Sequence, residues 1–94
     1  MARKYYAVYQ SGYGILGVGQ DLLGAVEQAN SDLNAEDRID YNQIERGNRE
    51  EVDGKVYYRF CTQELFDAVN SRGGNIEYSV IDFEGHKALD LSAV

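Results

Sequence analysis

The sequence predicts an α+β fold, an antiparallel or mixed sheet of four to five strands with two helices on one face, in a single domain spanning residues 1–94. Three observations carry this. Residues 5–10 (YYAVYQ), 55–61 (KVYYRFC) and 76–83 (IEYSVIDF) alternate in the period of a half-buried strand. Residues 22–33 and 63–72 switch to the spacing of an amphipathic helix, each following strand-like sequence. Between these units the apolar periodicity fails over a long stretch, which reads as a connection.

The first unit is complete in itself. Tyr5, Ala7 and Tyr9 face one way and Tyr6 and Val8 the other. Ser11 and Gly12 supply a turn, and residues 13–18 return as a second strand, so apolar runs bracket a Ser-Gly signal as in a hairpin. Leu22, Ala25 or Val26, Ala29 and Leu33 then recur at helical spacing, with Asp21 placed to cap the start and oppose the dipole. This helix can lie across one face of the hairpin.

In residues 31–54, Ile39, Tyr41, Ile44 and Val52 stand alone among acids and would pin the segment to the body, leaving room for one short helical turn or strand. Asp53-Gly54 turns the chain into the next strand, with Val56, Tyr58 and Phe60 under the helices and Tyr57 and Arg59 exposed or covering an open face. Thr62 is placed as an N-cap, Leu65, Phe66, Ala68 and Val69 form an apolar stripe, and Gly73-Gly74 is a stop. Glu84-Gly85 turns residues 76–83 back into a short edge strand at 87–91.

Composition bounds the function. Sixteen acidic against nine basic residues give a net charge of −7, which repels a phosphate backbone and disfavours direct nucleic-acid binding, while suiting a basic protein partner. No run approaches the roughly 18 apolar residues of a membrane span, and no secretory leader is evident, so the expected compartment is the cytoplasm. A lone cysteine, Cys61, agrees with a reducing interior.

Motifs for chemistry are weak. Gly12, Gly14 and Gly17 spell G-x-G-x-x-G, but the helix does not open inside the glycines and no second parallel strand ending in an acid follows, so they read as shaping a twisted hairpin. Cys61 and His86 are the sole candidates for a nucleophile and base, one at the end of an apolar strand and the other in an exposed-looking turn; Cys61 or Glu64 would serve the least favoured reading, a small enzyme. One His and one Cys cannot build a structural zinc site, the carboxylates lack calcium-loop spacing, and no catalytic residue, metal or cofactor is expected. KVYYRF is like the aromatic strand of RNA-recognition modules without their glycine and aromatic positions. Eight tyrosines combine large contact area with a polar tip, which suits a protein interface as well as high strand propensity.

The YYAVY-x-x-x-YGI-x-GVG start, the helix ending AVEQAN and YRFCTQELFDAVNSRGG resemble small proteins carried by phages and other mobile elements. In size, acidity and lack of catalytic residues the chain is also similar to phage anti-defence inhibitors, in particular anti-CRISPR proteins. That resemblance implies a non-enzymatic protein in a bacterial host cell that occupies a nucleic-acid-binding or partner surface of a defence complex. The segment expected to do so is residues 36–53, where seven carboxylates meet three arginines. Carboxylates along a surface can stand in for phosphates before Arg and Lys. The expected partner-binding residues are Glu36, Asp37, Asp40, Tyr41, Glu45, Glu50, Glu51 and Asp53, and the expected partner is the basic surface of a protein or ribonucleoprotein complex. The alternative is a self-associating structural or accessory protein, for example a homodimer joined at a sheet edge or tyrosine face.

Overall fold

A computed structural model describes residues 5–31, 33–47, 50–73, 76–83 and 86–91. Its order is β1 (Tyr5–Gln10), β2 (Gly14–Gly19), α1 (Leu22–Ser31), a 3-10 turn (Ala35–Asp37), β3 (Glu45–Arg46), β4 (Val56–Cys61), α2 (Gln63–Arg72), β5 (Tyr78–Phe83) and β6 (His86–Leu91). The fold is α+β with two helices and one mixed sheet ordered β2-β1-β4-β6-β5, the two-residue β3 pairing with β4 as a sixth strand. β1 pairs antiparallel with β2 and β4, and β5 with β6; β3 and β6 both run parallel to β4. The last strand is therefore not an edge strand. Leu89 stands opposite Cys61 and is fully buried, which draws β6 inside the sheet and leaves β5 at its edge. The Glu84-Gly85 turn lies outside the described residues.

The helices divide between the two faces of the sheet instead of sharing one. Both faces of β1 are apolar, so each needs a cover. α2 sends Leu65 and Val69 into a core with Tyr5, Ala7, Tyr9, Ile15, Val18, Tyr57, Cys61 and Leu89. α1 places Ala25, Val26 and Ala29 against Val8 on the opposite face. A bulge makes this partition work: the register slips between Val8 and Tyr9, so Ile15 stays opposite Tyr9 while Gly17 and Gly19 come opposite Val8 and Tyr6. These two glycines let the helix backbone lie directly on the strand. A Cβ at Gly17 would stand 2.6 Å from the Ala25 carbonyl oxygen and the Ala29 nitrogen, and one at Gly19 would meet the backbone of Gly24 and Ala25. Gly12, by contrast, holds the hairpin turn with φ 78°.

The ends of the helices follow from their sequence. Asp21 Oδ1 accepts from the Gly24 amide at 2.7 Å, and Thr62 Oγ1 accepts from the Leu65 amide at 3.3 Å. Gly73, at φ 86°, ends α2, its amide donating to the Val69 carbonyl. The helices meet around the outer edge of β2, where Gln28 Oε1 accepts from the Val18 amide and Gln28 Nε2 donates to Asn70 Oδ1. That contact occupies an amide of an edge strand, a usual means of blunting edge-to-edge pairing.

Candidate partner-binding surface

The acidic connection is fastened both to α1 and to the sheet. Asn30 clamps Ile39, accepting from its amide at 2.7 Å and donating to its carbonyl at 3.0 Å. Ile39 and Ile44 pack into the α1 core, and β3 joins β4. The chain then crosses to the α2 face. There the Val52 amide donates to the Tyr57 hydroxyl, and the Gly54 amide to the Ser11 carbonyl, before β4 begins.

The last fastening is a buried charged group. Arg59 Nε donates to the Tyr9 hydroxyl, Arg59 Nη2 donates to Glu51 Oε2, and the Tyr9 hydroxyl donates to the same carboxylate oxygen, each at 2.9 Å. Arg59 is only 9% exposed. Burial opposes its charge, yet the hydrogen bonds it donates to Glu51 and Tyr9 outweigh this and hold its pKa above the usual range. Burial, and then the Glu51 carboxylate, push the Tyr9 hydroxyl well above its ordinary value. The expectation for β4 is thereby reversed: Tyr57 and Arg59 are buried, while Tyr58 and Phe60 are half-buried on the other face. An Arg in a strand can turn inward when a carboxylate and a hydroxyl distant in sequence close over it.

The eight expected partner-binding residues separate accordingly. Glu36 and Asp37 are exposed in the 3-10 turn, and Asp40 is exposed while accepting from the Asn42 amide at 2.9 Å. Asp37 and Asp40 line a shallow groove of about 300 Å³ with Arg38, Ile44, Lys55 and Val56. Glu45 bonds Lys55 at 3.0 Å, and this hydrogen bond raises the lysine pKa. Asp37 and Asp40 thus share a groove with the lysine that Glu45 pairs with. Glu50 and Asp53 are exposed farther along, Asp53 beside Gly12 in the β1–β2 turn. Glu51 belongs to the interior.

Tyr41, 44% exposed, lies on a second groove of about 350 Å³ lined also by Tyr6, Asp21, Leu22, Arg46, Tyr58 and Phe60. The Tyr6 ring centroid stands 5.0 Å from that of Phe60 and 6.3 Å from that of Tyr58, and the Arg46 guanidinium lies over Phe60 at 5.3 Å. Sequence reasoning missed Tyr6, Tyr58 and Phe60 as surface residues; the available signal was that both faces of β1 and β4 carry rings, too many for one helix to hide. The tyrosines divide between roles: Tyr5, Tyr9 and Tyr57 are core, Tyr6, Tyr58 and Tyr78 half-buried, and Tyr13 and Tyr41 exposed, Tyr13 at 81% on the hairpin tip.

Cys61 is fully buried, and burial pushes its thiol up to about 12, so at neutral pH it is a small apolar group. His86 opens β6 opposite Phe83. The His86 side chain lies outside the described residues. Glu64 is exposed in the first turn of α2. No group of three or more metal-ligating side chains occurs among the described residues, and among them no helix is long and apolar enough to cross a membrane. Comparisons with protein-family models, curated proteins and solved structures find no match.

Proposed function

We propose that this chain is a non-enzymatic acidic binding protein, an inhibitor of the anti-CRISPR kind, that occupies a basic nucleic-acid-binding or partner surface of a defence complex in the bacterial cytoplasm. The supporting observation is that Asp37, Asp40 and Glu45 are exposed on one segment tied down at both ends, Asp37 and Asp40 lining a groove with Lys55 and Glu45 pairing with that lysine. A pre-ordered row of carboxylates loses little entropy on meeting arginines and lysines. The Glu45–Lys55 pair is half-exposed on both sides, so water screens it and a partner's cation can replace it. Glu51 leaves the contact set because its charge is already satisfied inside.

The test is capture of partners from a host lysate with the natural chain and an Asp37→Asn/Asp40→Asn/Glu45→Gln variant side by side. Asn at position 40 keeps the oxygen that receives the Asn42 amide, so the fold is spared. The proposal expects a partner that the natural chain holds at low salt, that duplex nucleic acid displaces, and that the variant holds at least tenfold more weakly, a loss of about 1.4 kcal/mol. Equal retention by both chains refutes it. The self-associating alternative is favoured by one observation, the apolar Val80, 52% exposed on edge strand β5, and sedimentation across concentrations separates the two.

A further inference from the structure

The geometry points to the aromatic groove on the α1 face as a receptor for an arginine side chain of a protein partner. This deepens the proposed function and rests on it for the nature of the partner. Four rings, Tyr6, Tyr41, Tyr58 and Phe60, border a space of about 350 Å³, at the small end of ligand pockets and suited to one side chain. Ring faces attract cations, and they favour the planar, weakly hydrated guanidinium over the ammonium because it also stacks. The groove already shows this chemistry, since the Arg46 guanidinium lies over Phe60 on its wall.

Charge selects the occupant further. Asp21, exposed at the start of α1, lines the groove with one carboxylate oxygen engaged by the Gly24 amide. The chain as a whole carries −7, drawing cations and repelling phosphates. A nucleobase could stack on the same rings, with its phosphate near Arg46, so the two occupants differ in how they respond to Asp21 and Arg46. Removing the carboxylate weakens a cation and strengthens an anion. Removing the arginine does the reverse.

The experiment titrates the full chain with N-acetylarginine amide, its neutral isostere N-acetylcitrulline amide, and AMP, following the ring proton signals of Tyr6, Tyr58 and Phe60. Arginine amide is expected to move these signals saturably with a Kd in the millimolar range, and citrulline amide at least about fivefold more weakly. Asp21→Asn keeps the capping oxygen and is expected to weaken arginine binding about two- to fivefold, whereas Arg46→Ala strengthens it by a similar factor. Tyr41→Ala, at an exposed position, weakens it without changing the melting temperature. The inference is overturned if AMP binds more tightly than arginine amide, if citrulline amide binds equally well, or if the ring signals stay still up to about 50 mM probe. Because the probes are free molecules, these outcomes do not depend on whether the acidic segment finds its partner in a lysate.

Discussion

Replacing Glu51 by Ala tests whether this carboxylate serves the fold or a partner. Its side chain is 19% exposed and that of Arg59 10%, so the pair lies mostly out of water. Removing one partner of a buried pair costs about 3–5 kcal/mol, because a desolvated charge loses its counterion. The Tyr9 hydroxyl still receives Arg59 Nε, which places the cost near the low end, about 3 kcal/mol. A chain of 94 residues has roughly 5–14 kcal/mol of stability to lose. With a urea dependence of about 1–1.5 kcal/mol per molar, the midpoint should fall by about 2–3 M. Glu45→Ala is the control: its pair with Lys55 is half-exposed and screened by water, so the midpoint should hardly move. Glu51→Ala combined with Arg59→Met removes both charges and keeps an apolar stem, and should recover much of the loss. Equal midpoint shifts for Glu51→Ala and Glu45→Ala, or no recovery in the double variant, would refute a buried clasp at this position.

Three other perturbations follow from the same structure. Gly17→Ala drives a methyl group into the α1 backbone at 2.6 Å, so the helix must lift; thermal unfolding should show a loss of about 2–3 kcal/mol. Thr62→Val keeps shape but loses both the cap to Leu65 and the 2.6 Å hydrogen bond donated to Asp90, and should cost about 2 kcal/mol in urea unfolding, with Thr62→Ser close to the natural chain. Under reducing conditions, stability should fall as pH rises above about 9, because the unfolded chain ionises Cys61 there while the folded thiol, pushed up to about 12, keeps its proton. The raised folded-state value means the contribution is complete below pH 9 and has dropped by about 2–3 kcal/mol near pH 11; Cys61→Ala should flatten that part of the pH–stability curve. Tyr9 adds a loss of the same sign at higher pH.

Local signals in the sequence located the elements well. Asp21 and Thr62 cap the helices they precede, the turn at Ser11-Gly12 is where the hairpin reverses, and the described part of the irregular segment holds a 3-10 turn and a two-residue strand. What could not be read was which face each strand presents. Alternation says that Tyr57 and Arg59 share a side, not which side is buried, and hydropathy favoured turning Arg59 outward. The answer depends on Glu51 and Tyr9, 8 and 50 residues away, closing over the guanidinium. The bulge that seats Gly17 and Gly19 under α1 is similarly a property of paired strands, with no signal in either strand alone. For the same reason the acidic segment was legible as a charge run, while its division into an interior Glu51 and exterior Asp37, Asp40 and Glu45 was not.

The exposure of the aromatic groove follows from a shortage of cover. A ten-residue helix is about 15 Å long and 10 Å wide, enough for roughly two strands spaced near 4.8 Å. α1 spends that width on β2 and β1, where the two glycines draw it close. On the opposite face, α2 and the returning segment around Glu51 together close over the rings of Tyr5, Tyr9 and Tyr57. Among the described residues, the α1 face extends its cover toward β4 with Ile39, Ile44, Tyr41 and Arg46. Tyr58 and Phe60 therefore remain only partly buried in the middle of a sheet, a position where an apolar ring costs stability unless something meets it. A hydroxyl-tipped ring and a cation laid over its neighbour reduce that cost without filling the space. The bulge that lets the helix approach β2 so closely is thus also what leaves the aromatic side of β4 partly uncovered.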